Sequence, residues 1–599
     1  MKLSDYVARF LAAQGIGHVF AITGGASLHL IDSISRRNDV DFICPQHEQA
    51  GAMAADAYAR VTGRLGAAIA TSGPGFTNMI TGICSAYYDS VPVLYITGQV
   101  STFRAKGALG VRQLGFQETD TVQMCQQITK YAVSIDEASR IRYELEKAVY
   151  LAFAGRPGPV LVDIPDNLQR EDIDPEKLEA FVAPEKAGQA SAEKDHEEQI
   201  EQVRALLQGA ERPVLVLGWG VRLAGAVERA VDLVEHLNIP VLPTWGMKDF
   251  LPADHPLLAG TFGTHGTRTG NFVVQNADVI LSIGSRLDTH ETGTPLDSFA
   301  RQAELMMVDI DPTELAKFAT LGRPLSLSIE RDAGDFMADF MAGPTDFSGA
   351  DITPWRDRIQ GWQQQFPECP QEFYNQQAIN PYVFNKILAE ESADGDTFVL
   401  DTGCALAWMM QSFDFKPKQR AIHAFNNTPM GFALPGAIGA SLALGRGPVT
   451  CIAGDGSLQM NLQELATVIR HDLPIKIFLI NNHGYSMIKQ TQEQWLDARY
   501  NASSVEGGLA LPDFTALAKV YGFKTLTIKR NTDIRARVRE TLDHSGPTFC
   551  NVEIESDHRV LPQVKYGRPL EDSEPLLDRH TFNAAMIIPP MAASSTLDD

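Results

Sequence analysis

Residues 454–482 read GDGSLQMNLQELATVIRHDLPIKIFLINN. An apolar run from Val449 to Ala453 precedes this segment, and a second run from Ile475 to Ile480 lies near its end. Between the runs, apolar residues recur at helical spacing, so the pattern predicts a strand, a Gly-rich turn, a helix and a second strand. Asp455 and Asn482 follow the two strands. Because both strand ends lie at the same edge of a parallel sheet, we expect these two side chains to meet.

The two side chains have the chemistry of a magnesium site. Carboxylate and amide oxygens are hard ligands, which Mg²⁺ prefers, while water and phosphate oxygens fill its other positions. Gly454 and Gly456 let the backbone approach a phosphate, and the N-terminus of the following helix favours negative charge. The alternative is an ordinary turn before a helix that Ser457 or Asn461 caps. The segment therefore predicts either a metal-bound phosphate site or a structural turn.

The composition describes a large globular chain with an excess of acid. Hydrophobic residues make up 44% and charged residues 21% of the 599 residues, and the net charge is −23. At roughly 150 residues a domain, we expect three or four domains. The negative charge argues against nucleic acid or an anionic membrane as a partner. Seven scattered cysteines without a CxxC pair, and no apolar run near the ~20 residues that cross a bilayer, predict a cytoplasmic protein.

Alternating helical and short apolar segments predict an α/β fold with three doubly wound parallel-sheet domains. The expected parts are an N-terminal domain at 1–175, a central domain at 195–345, a C-terminal domain at 375–560, a tail at 561–599, and polar linkers at about 181–200 and 343–373. The predicted strands are 18–22, 41–44, 67–70, 93–96 and 160–164, then 214–217, 240–242, 279–283 and 305–310, and finally 397–400, 449–453 and 475–480. The first and third blocks look like two copies of one sheet architecture.

Glu48 begins the helix predicted after the second strand. Acids favour the first turn of a helix, so its position has an ordinary explanation. The small residues that follow, among them Ala50, Gly51 and Ala54, allow another surface to pack closely. A carboxylate at such an interface can share a proton with a nitrogen heterocycle. Glu48 is therefore either a helix-start acid or an acid–base group.

Several segments, taken in order, resemble the acetolactate synthase family of thiamine diphosphate (ThDP) enzymes. They are ITGGAS (22–27), QHEQAGAMAADAYAR (46–60), TSGPGFTN (71–78), DSVPVLYITGQV (89–100), FQETD (116–120), and the GDGS and NN ends of 454–482. The resemblance covers the chain to about residue 560. It implies an enzyme that uses ThDP and Mg²⁺ on a 2-oxo acid, with the protein orienting a cofactor that breaks the bond.

The resemblance also implies roles for individual residues. It places Glu48 at N1′ of the cofactor's aminopyrimidine, Gly25 and Ala26 beside the thiazolium, and Phe116 and Gln117 near the reacting carbon. The implied catalytic set is therefore Glu48, Gln117, Gly25 and Phe116.

The same comparison implies a Mg²⁺ site made by Asp455, Asn482 and the backbone carbonyl of Gly484. Met430 matches a methionine that bends the cofactor, a role that suits a flexible thioether. The remaining cofactor-binding residues that the resemblance implies are Thr428, Gly454, Gly456, Ser457 and Tyr485.

The fate of the decarboxylated fragment divides the possible enzymes. Decarboxylases of this type usually place a His pair after the fourth strand, and Ser101–Asp120 has no His. Joining the fragment to a second carbonyl compound is therefore favoured over release. Basic residues of this loop (Arg104, Lys106 and Arg112) either guide an anionic substrate or are merely solvated. The loop is longer than is usual in the family.

The residues after NN leave the acceptor open. Family members carry a Trp that selects the acceptor, and Thr491 occupies its position here, with Trp495 the nearest Trp. Met487 and Ile488 still match the apolar pair of that pocket. We expect the mechanism to be unaffected by this change. The change leaves the identity of the second substrate undetermined.

The central domain is expected to hold FAD, another adenine nucleotide, or no ligand. Its turns GTHGTRTGN (263–271) and GSRLDTHETG (284–293) resemble those that hold FAD in the family. Gly218 and Gly220 occupy the first turn, and Arg286 and Asp288 match two family positions. His290 replaces a second Arg that is usual there.

The cofactor would lie between blocks, because Glu48 and Asp455 belong to different ones. The family implies that the facing blocks come from two subunits, hence a homodimer or homotetramer. The alternatives are a decarboxylase or lyase, a redox enzyme using FAD, and a non-catalytic binding subunit. The last would be expected to have lost Glu48 or Asp455, and both are present.

Overall fold

The computed structural model describes residues 1–184, 189–343 and 349–594. It contains three sheets whose neighbouring strands pair in parallel, in agreement with the predicted fold class. The strands are β1 (His18–Ala21), β2 (Asp41–Ile43), β3 (Gly66–Ala70), β4 (Val93–Gln99), β5 (Tyr131–Ser134) and β6 (Val160–Pro165) in the first sheet, β7 (Pro213–Leu217), β8 (Val241–Pro243), β9 (Val279–Ile283), β10 (Glu304–Asp309) and β11 (Leu327–Glu330) in the second, and β12 (Thr397–Leu400), β13 (Arg420–Ile422), β14 (Val449–Gly454), β15 (Ile475–Asn481), β16 (Lys524–Ile528) and β17 (Thr548–Glu553) in the third.

Helices cover the faces of these sheets. They are α1 (Leu3–Ala13), α2 (Leu28–Ser35), α3 (Glu48–Thr62), α4 (Pro74–Tyr88), α5 (Thr121–Cys125), α6 (Ile141–Phe153), α7 (Asp166–Gln169), α8 (Gln189–Gly209), α9 (Trp219–Leu223), α10 (Val227–Leu237), α11 (Arg268–Asn276), α12 (Thr289–Thr292), α13 (Pro312–Thr320), α14 (Ala333–Ala342), α15 (Thr353–Gln365), α16 (Gln371–Tyr374), α17 (Pro381–Glu391), α18 (Cys404–Ser412), α19 (Ala433–Ala443), α20 (Asp455–Met460), α21 (Leu465–Arg470), α22 (Ser486–Trp495), α23 (Phe514–Tyr521), α24 (Ile534–Asp543) and α25 (Arg579–Ala585). In this part of the chain, none of them has the length and apolar character needed to span a membrane.

The first and third sheets share one strand order, which confirms the predicted duplication. The first sheet runs β2-β1-β3-β4-β6-β5 and the third runs β13-β12-β14-β15-β17-β16. In such doubly wound sheets, ligands bind beyond the carboxyl ends of the strands where the winding direction reverses. This point lies between β1 and β3 in the first sheet, and between β12 and β14 in the third. Each outer sheet therefore presents one equivalent crevice.

The predicted strands are present, with ends shifted by a few residues, but the sequence pattern did not predict five further strands. These are β5, β11, β13, β16 and β17. Strand β13 has only three residues, and β5 and β16 are largely half-buried, so neither length nor a continuous apolar run marks them. The proposed linker at 181–200 is partly helical, because α8 starts at Gln189 among good helix formers. Residues 185–188, 344–348 and 595–599 lie outside the described residues.

The helix after the GDG turn is interrupted, whereas the pattern predicts one helix. Helix α20 begins directly at Asp455, and Asn461 then leaves helical geometry before a short 3₁₀ turn and α21. The interruption has a cause, because the Asn461 amide donates to the Gly431 carbonyl (2.8 Å). Gly454 is the N-cap, without a side-chain cap. The alternative in which Ser457 or Asn461 caps this helix is therefore wrong.

The tail runs from the C-terminal domain, where the Tyr382 hydroxyl donates to the Leu561 carbonyl (2.6 Å), onto the central domain. Phe582 of α25 is fully buried in the apolar cluster on one face of the second sheet, together with Leu570 and Met586. The guanidinium of Arg268 donates to the Ser573 and Pro575 carbonyls (3.1 and 2.7 Å). The tail thus covers a sheet face that would otherwise be exposed to water.

Candidate active site

Asp455 lies at the carboxyl end of β14, which pairs with β15. Its buried carboxylate accepts hydrogen bonds from the backbone N–H groups of Gly456 (2.6 Å) and Gly484 (3.0 Å). Burial raises the pKa of Asp455 to about 6, because the charged form loses water. No ion pair within the described residues neutralises this carboxylate. A bound cation would supply the missing charge.

Asn482 follows β15 at the same edge, as the strand pattern predicts. Its buried amide makes no hydrogen bond to another described side chain or backbone group. His483 (φ +56°) and Gly484 (φ +142°) then turn the chain back, which brings the Gly484 N–H to Asp455. The described part of the chain contains no cluster of three His, Cys, Asp or Glu side chains able to hold a metal. The buried carboxylate of Asp455 and the amide of Asn482 at the same sheet edge are hard-oxygen groups of the kind that Mg²⁺ prefers.

Two expected cofactor residues, Tyr485 and Met430, lie next to Gly456. A Cβ on Gly456 would overlap the Tyr485 ring and would lie 3.2 Å from Cε of Met430. Ser457, the next residue, is buried and lies beside the carboxylate of Asp401. The turn therefore has no room for a side chain at position 456, and its backbone stays accessible.

Asp401 fixes the segment that carries Met430. Its buried carboxylate accepts hydrogen bonds from the Gly431 and Ala433 N–H groups (3.0 Å each). Thr428, two residues before Met430, is exposed and has φ +40°, a left-handed conformation uncommon for Thr. The sequence pattern alone assigns no role to Asp401, although this residue follows β12 as Asp455 follows β14.

Glu48 is the first residue of α3, as predicted, and lies at the carboxyl edge of the first sheet. It is half-buried and accepts a hydrogen bond from Nδ2 of Asn78 (2.9 Å). A Cβ on Gly75 would lie 3.4 Å from Oε1 of Glu48. Asn78 and Gly75 both belong to TSGPGFTN, so the second Gly-rich turn supports the acid. The sequence pattern did not single out Asn78.

Thr71 joins the turn that follows β1 to the turn that follows β3. Its Oγ1 accepts a hydrogen bond from the Ala26 N–H (3.2 Å), and its methyl group would lie 2.8 Å from a Cβ on Gly75. A Cβ on Gly25 would have no neighbour within 4 Å, so this side of the turn is open. The structure therefore brings Gly25, Ala26 and Glu48 to one edge through Thr71, another residue without a predicted role.

The FQETD segment is only partly joined to this edge. Gln117 adopts φ +62° and lies against Gly73, whose added Cβ would be 3.1 Å from Cβ of Gln117. Phe116 is 86% exposed, so it does not pack against the Glu48 cluster within one protomer. The carboxylate of Glu118 holds the loop that precedes Phe116. It accepts hydrogen bonds from the backbone N–H groups of Lys106, Leu114 and Gly115.

Helices α3 and α19 pack tightly and antiparallel. A Cβ on Gly439 would collide with the Ala54 carbonyl, so small residues permit the contact, as predicted. Farther along, the Arg60 guanidinium carbon lies 5.7 Å from the Phe432 ring centroid. Glu48 precedes Arg60 by about 18 Å of helix, at ~1.5 Å per residue. Helix α19 therefore runs back along α3, with Phe432 beside Arg60 and Gly439 beside Ala54.

A cavity of about 350 Å³ lies at the junction of the three domains, beside the second sheet. Gly218 and Gly220 pack on Gly284, and a Cβ on either of them would collide with backbone atoms of Gly284. The backbone at these turns is therefore packed too closely for any residue but glycine. Arg286 and Asp288 line the cavity, as expected from the resemblance. Other lining residues from the outer domains are Tyr88, Asp89, Arg156, Phe425 and Asn426.

His290 does not replace the charge of the arginine usual at its position. Its ring stacks on His265, with Nε2 of His290 3.1 Å from Nδ1 of His265. Burial lowers the pKa of both imidazoles, that of His265 to about 3. Both rings are therefore neutral at pH 7, so the positive charge in the cavity lining comes from its arginines, Arg286 among them.

The comparisons with known proteins agree with this arrangement. Three family models of thiamine pyrophosphate enzymes match this chain. The model of the N-terminal TPP binding domain matches residues 1–124, that of the central domain matches 200–339, and that of the C-terminal TPP binding domain matches 401–552. The chain is 33% identical to an acetolactate synthase of Arthrospira platensis, over 94% of this chain and 96% of the relative. It is 32% identical to the isozyme 3 large subunit of Escherichia coli (94% and 97%), and 33% identical to a probable large subunit of Methanocaldococcus jannaschii (99% and 99%).

These matches and the paired crevices define a thiamine pyrophosphate enzyme. Within that class, full-length similarity above 30% shows that the chain belongs to the acetolactate synthase family.

Proposed function

We propose that the chain is a ThDP-dependent carboligase, which decarboxylates a 2-oxo acid and joins the remaining acyl group to a second carbonyl compound. The observation that carries the proposal is the pairing of two crevices. One presents the acid Glu48, held by Asn78. The other presents the buried, unpaired carboxylate of Asp455 beside Asn482. The relatives named acetolactate synthase support the same reaction.

The residues present fit the cofactor. Asp455, Asn482 and the Gly484 carbonyl would hold Mg²⁺ and thereby the diphosphate, while Gly456 leaves the backbone open to phosphate oxygens. When bound, ThDP supplies the carbon nucleophile that accepts and releases the acyl group. Met430 would support the cofactor rings from the GDGS side.

Glu48 would hold the proton exchanged with N1′ of the aminopyrimidine. Asn78 donates a hydrogen bond to Oε2 of Glu48, so Oε1 is available to a ligand. Gly25 and Ala26 would border the reacting ring, since the outer side of Gly25 is open. Gln117 and Phe116 would approach the substrate from the long loop.

A second copy of the chain would complete each site. Glu48 lies at the carboxyl edge of the first sheet and Asp455 at that of the third, so each protomer offers two half-sites. A homodimer, or a homotetramer built from such dimers, would bring the Glu48 edge of one copy to the Asp455 edge of its partner. We place this enzyme in the cytoplasm, because all seven cysteines are free thiols.

The central cavity is proposed to hold FAD. Glycine turns allow close backbone approach, and Arg286 offers a guanidinium to a diphosphate. The neutral His290 leaves fewer cations than the family pattern provides, so FAD is expected to bind more weakly than it would with arginine at that position.

Carboligation is favoured over aldehyde release by the 101–120 loop. It places no imidazole near Gln117, and its acid Glu118 is occupied by three backbone N–H groups. The acceptor side differs from the family: the Thr491 hydroxyl bonds to the Met487 carbonyl (3.2 Å), and Trp495 is 64% exposed. The acceptor pocket is therefore expected to be wider than one closed by Trp at position 491.

Product analysis tests the proposal. The protein is incubated with pyruvate, ThDP and Mg²⁺, with and without a second 2-oxo acid or an aldehyde, and the products are identified by mass spectrometry. A carbon–carbon coupled product is expected, and Glu48→Gln should nearly abolish it while ThDP still binds. Acetaldehyde as the sole product would replace carboligase by decarboxylase, and wild-type rates in Glu48→Gln would remove Glu48 from the mechanism.

A further inference from the structure

Asn426 occupies a junction between all three domains. Its backbone N–H donates to Oδ1 of Asp89 (3.1 Å), and its Nδ2 donates to the Tyr88 carbonyl (3.0 Å), both in the N-terminal domain. Its Oδ1 accepts a hydrogen bond from Nη2 of Arg286 (2.7 Å) in the central domain. Asn426 itself belongs to the C-terminal domain and lies four residues before Met430. One side chain thus connects the wall of the central cavity to the segment that carries Met430.

The segment between Asn426 and Gly431 is held at both ends. Asp89 accepts the Phe425 and Asn426 N–H groups (3.1 Å each) at the first end. Asp401 accepts the Gly431 N–H at the other end. Between these anchors, Thr428 has a positive φ (+40°). A short, conformationally restricted segment of this kind transmits a displacement of one end to Met430 instead of absorbing it.

The guanidinium of Arg286 lines the central cavity and has donors available to a ligand there. Its Nη2 donates to both Asp288 (2.7 Å) and Asn426. Nε and Nη1 make no hydrogen bond to another described residue, and the side chain is 36% exposed towards the cavity. These remaining donors match a phosphate, which would immobilise the guanidinium without displacing Asn426. An anionic ligand would therefore strengthen the Arg286–Asn426 contact.

We propose that Asn426 is a positioning residue that couples an anionic nucleotide in the central cavity to the placement of Met430, so that nucleotide and ThDP bind with positive cooperativity. The proposal rests on the proposed function, because it takes Met430 as a contact of ThDP. Cooperativity is reciprocal: each ligand raises the affinity for the other by the same factor.

Isothermal titration calorimetry of the full-length protein tests the coupling. ThDP is titrated at saturating Mg²⁺ with and without FAD, and with ADP as a second probe of the cavity. For the wild type, the Kd for ThDP should fall about fivefold or more when the cavity is filled. In Asn426→Ala the two Kd values should agree within about twofold, while each ligand alone still binds. FAD titrations with and without ThDP should return the same ratios.

Three further variants make the test specific. Asn427→Ala is the matched control, since Asn427 makes only a 3.5 Å contact to Ser85 and should retain the wild-type ratio. Asn426→Asp keeps the acceptor for Arg286 but loses the donor to the Tyr88 carbonyl, so its ratio should fall between those of the wild type and the alanine variant. Asn426→Leu keeps the size of the side chain without its hydrogen bonds, and serves if the alanine variant does not fold.

The inference is overturned if wild-type ThDP affinity is indifferent to FAD and ADP, or if Asn426→Ala and Asn426→Leu keep the wild-type ratio. Failure of both nucleotides to bind also overturns it. In each of these cases ThDP binding and product formation still stand, so the proposed function is tested separately. Absence of ThDP binding to the wild type would instead refute the proposed function.

Discussion

Ala54 of α3 and Gly439 of α19 are in such close contact that a Cβ on Gly439 would collide with the Ala54 carbonyl oxygen. Phe432 lies beside Arg60 farther along, so the two helices run antiparallel and join the N-terminal and C-terminal domains of one protomer. Glu48 begins α3, whereas Asp455 follows β14 of the other domain. Under the proposed function, each cofactor takes its acid from one copy of the chain and its metal ligands from another.

Mixing two inactive variants tests this arrangement. Glu48→Gln and Asp455→Asn are each expected to lose carboligation. If the sites are shared between copies, a hybrid dimer has one site with both wild-type residues, so co-refolded mixtures should recover up to about a quarter of wild-type activity. Each variant refolded alone is the control. Mixtures that remain inactive, although mass spectrometry detects hybrids, would place the complete site within one protomer.

Gly456→Ala tests the cradle at the GDGS turn. The added methyl group would overlap the Tyr485 ring and crowd Met430, displacing both from the ligand. We expect about a hundredfold loss of turnover, as for a shift of about 1 Å at a reacting site. Gly361→Ala is the matched control, because its Cβ meets nothing within 4 Å on α15. Equal kinetics in both variants would contradict the role of Gly456.

Glu464 predicts a specific pH dependence of stability. This buried acid accepts hydrogen bonds from the Gln46 N–H (2.9 and 3.1 Å), and burial raises its pKa from 4.5 to about 7. Because the protonated form is favoured in the fold, its contribution to stability is complete below pH 4.5 and is lost as pH rises to about 7. Melting temperatures from pH 4.5 to 8 should therefore fall less steeply in Glu464→Gln than in the wild type.

Asp163 provides the internal reference for this comparison. Burial raises its pKa to about 7 as well, and it remains in both proteins, so its effect cancels in the difference. Parallel melting curves in the two proteins would show that Glu464 is not the group that titrates.

The tail is expected to be essential for the central domain. Phe582→Ala removes a fully buried ring from the cluster on the second sheet, and such losses cost about 3–5 kcal/mol. The exposed neighbour His580→Ala should change stability by less than about 0.5 kcal/mol. Calorimetric unfolding can compare the two variants. A Phe582→Ala protein as stable as the wild type would show that the tail only lies on the surface.

Local sequence determined the parallel α/β class, the start of α3 at Glu48 and the common edge of Asp455 and Asn482. Each of these follows from strand periodicity and from the rule that parallel strand ends share an edge. The family resemblance supplied the cofactor and the residue roles. Tertiary structure alone decided the supports, because Thr71, Asn78, Asp401 and Asn426 act through contacts between segments far apart in the chain. It also decided the antiparallel α3–α19 pairing, since shape complementarity between small residues leaves no periodic signal in either helix.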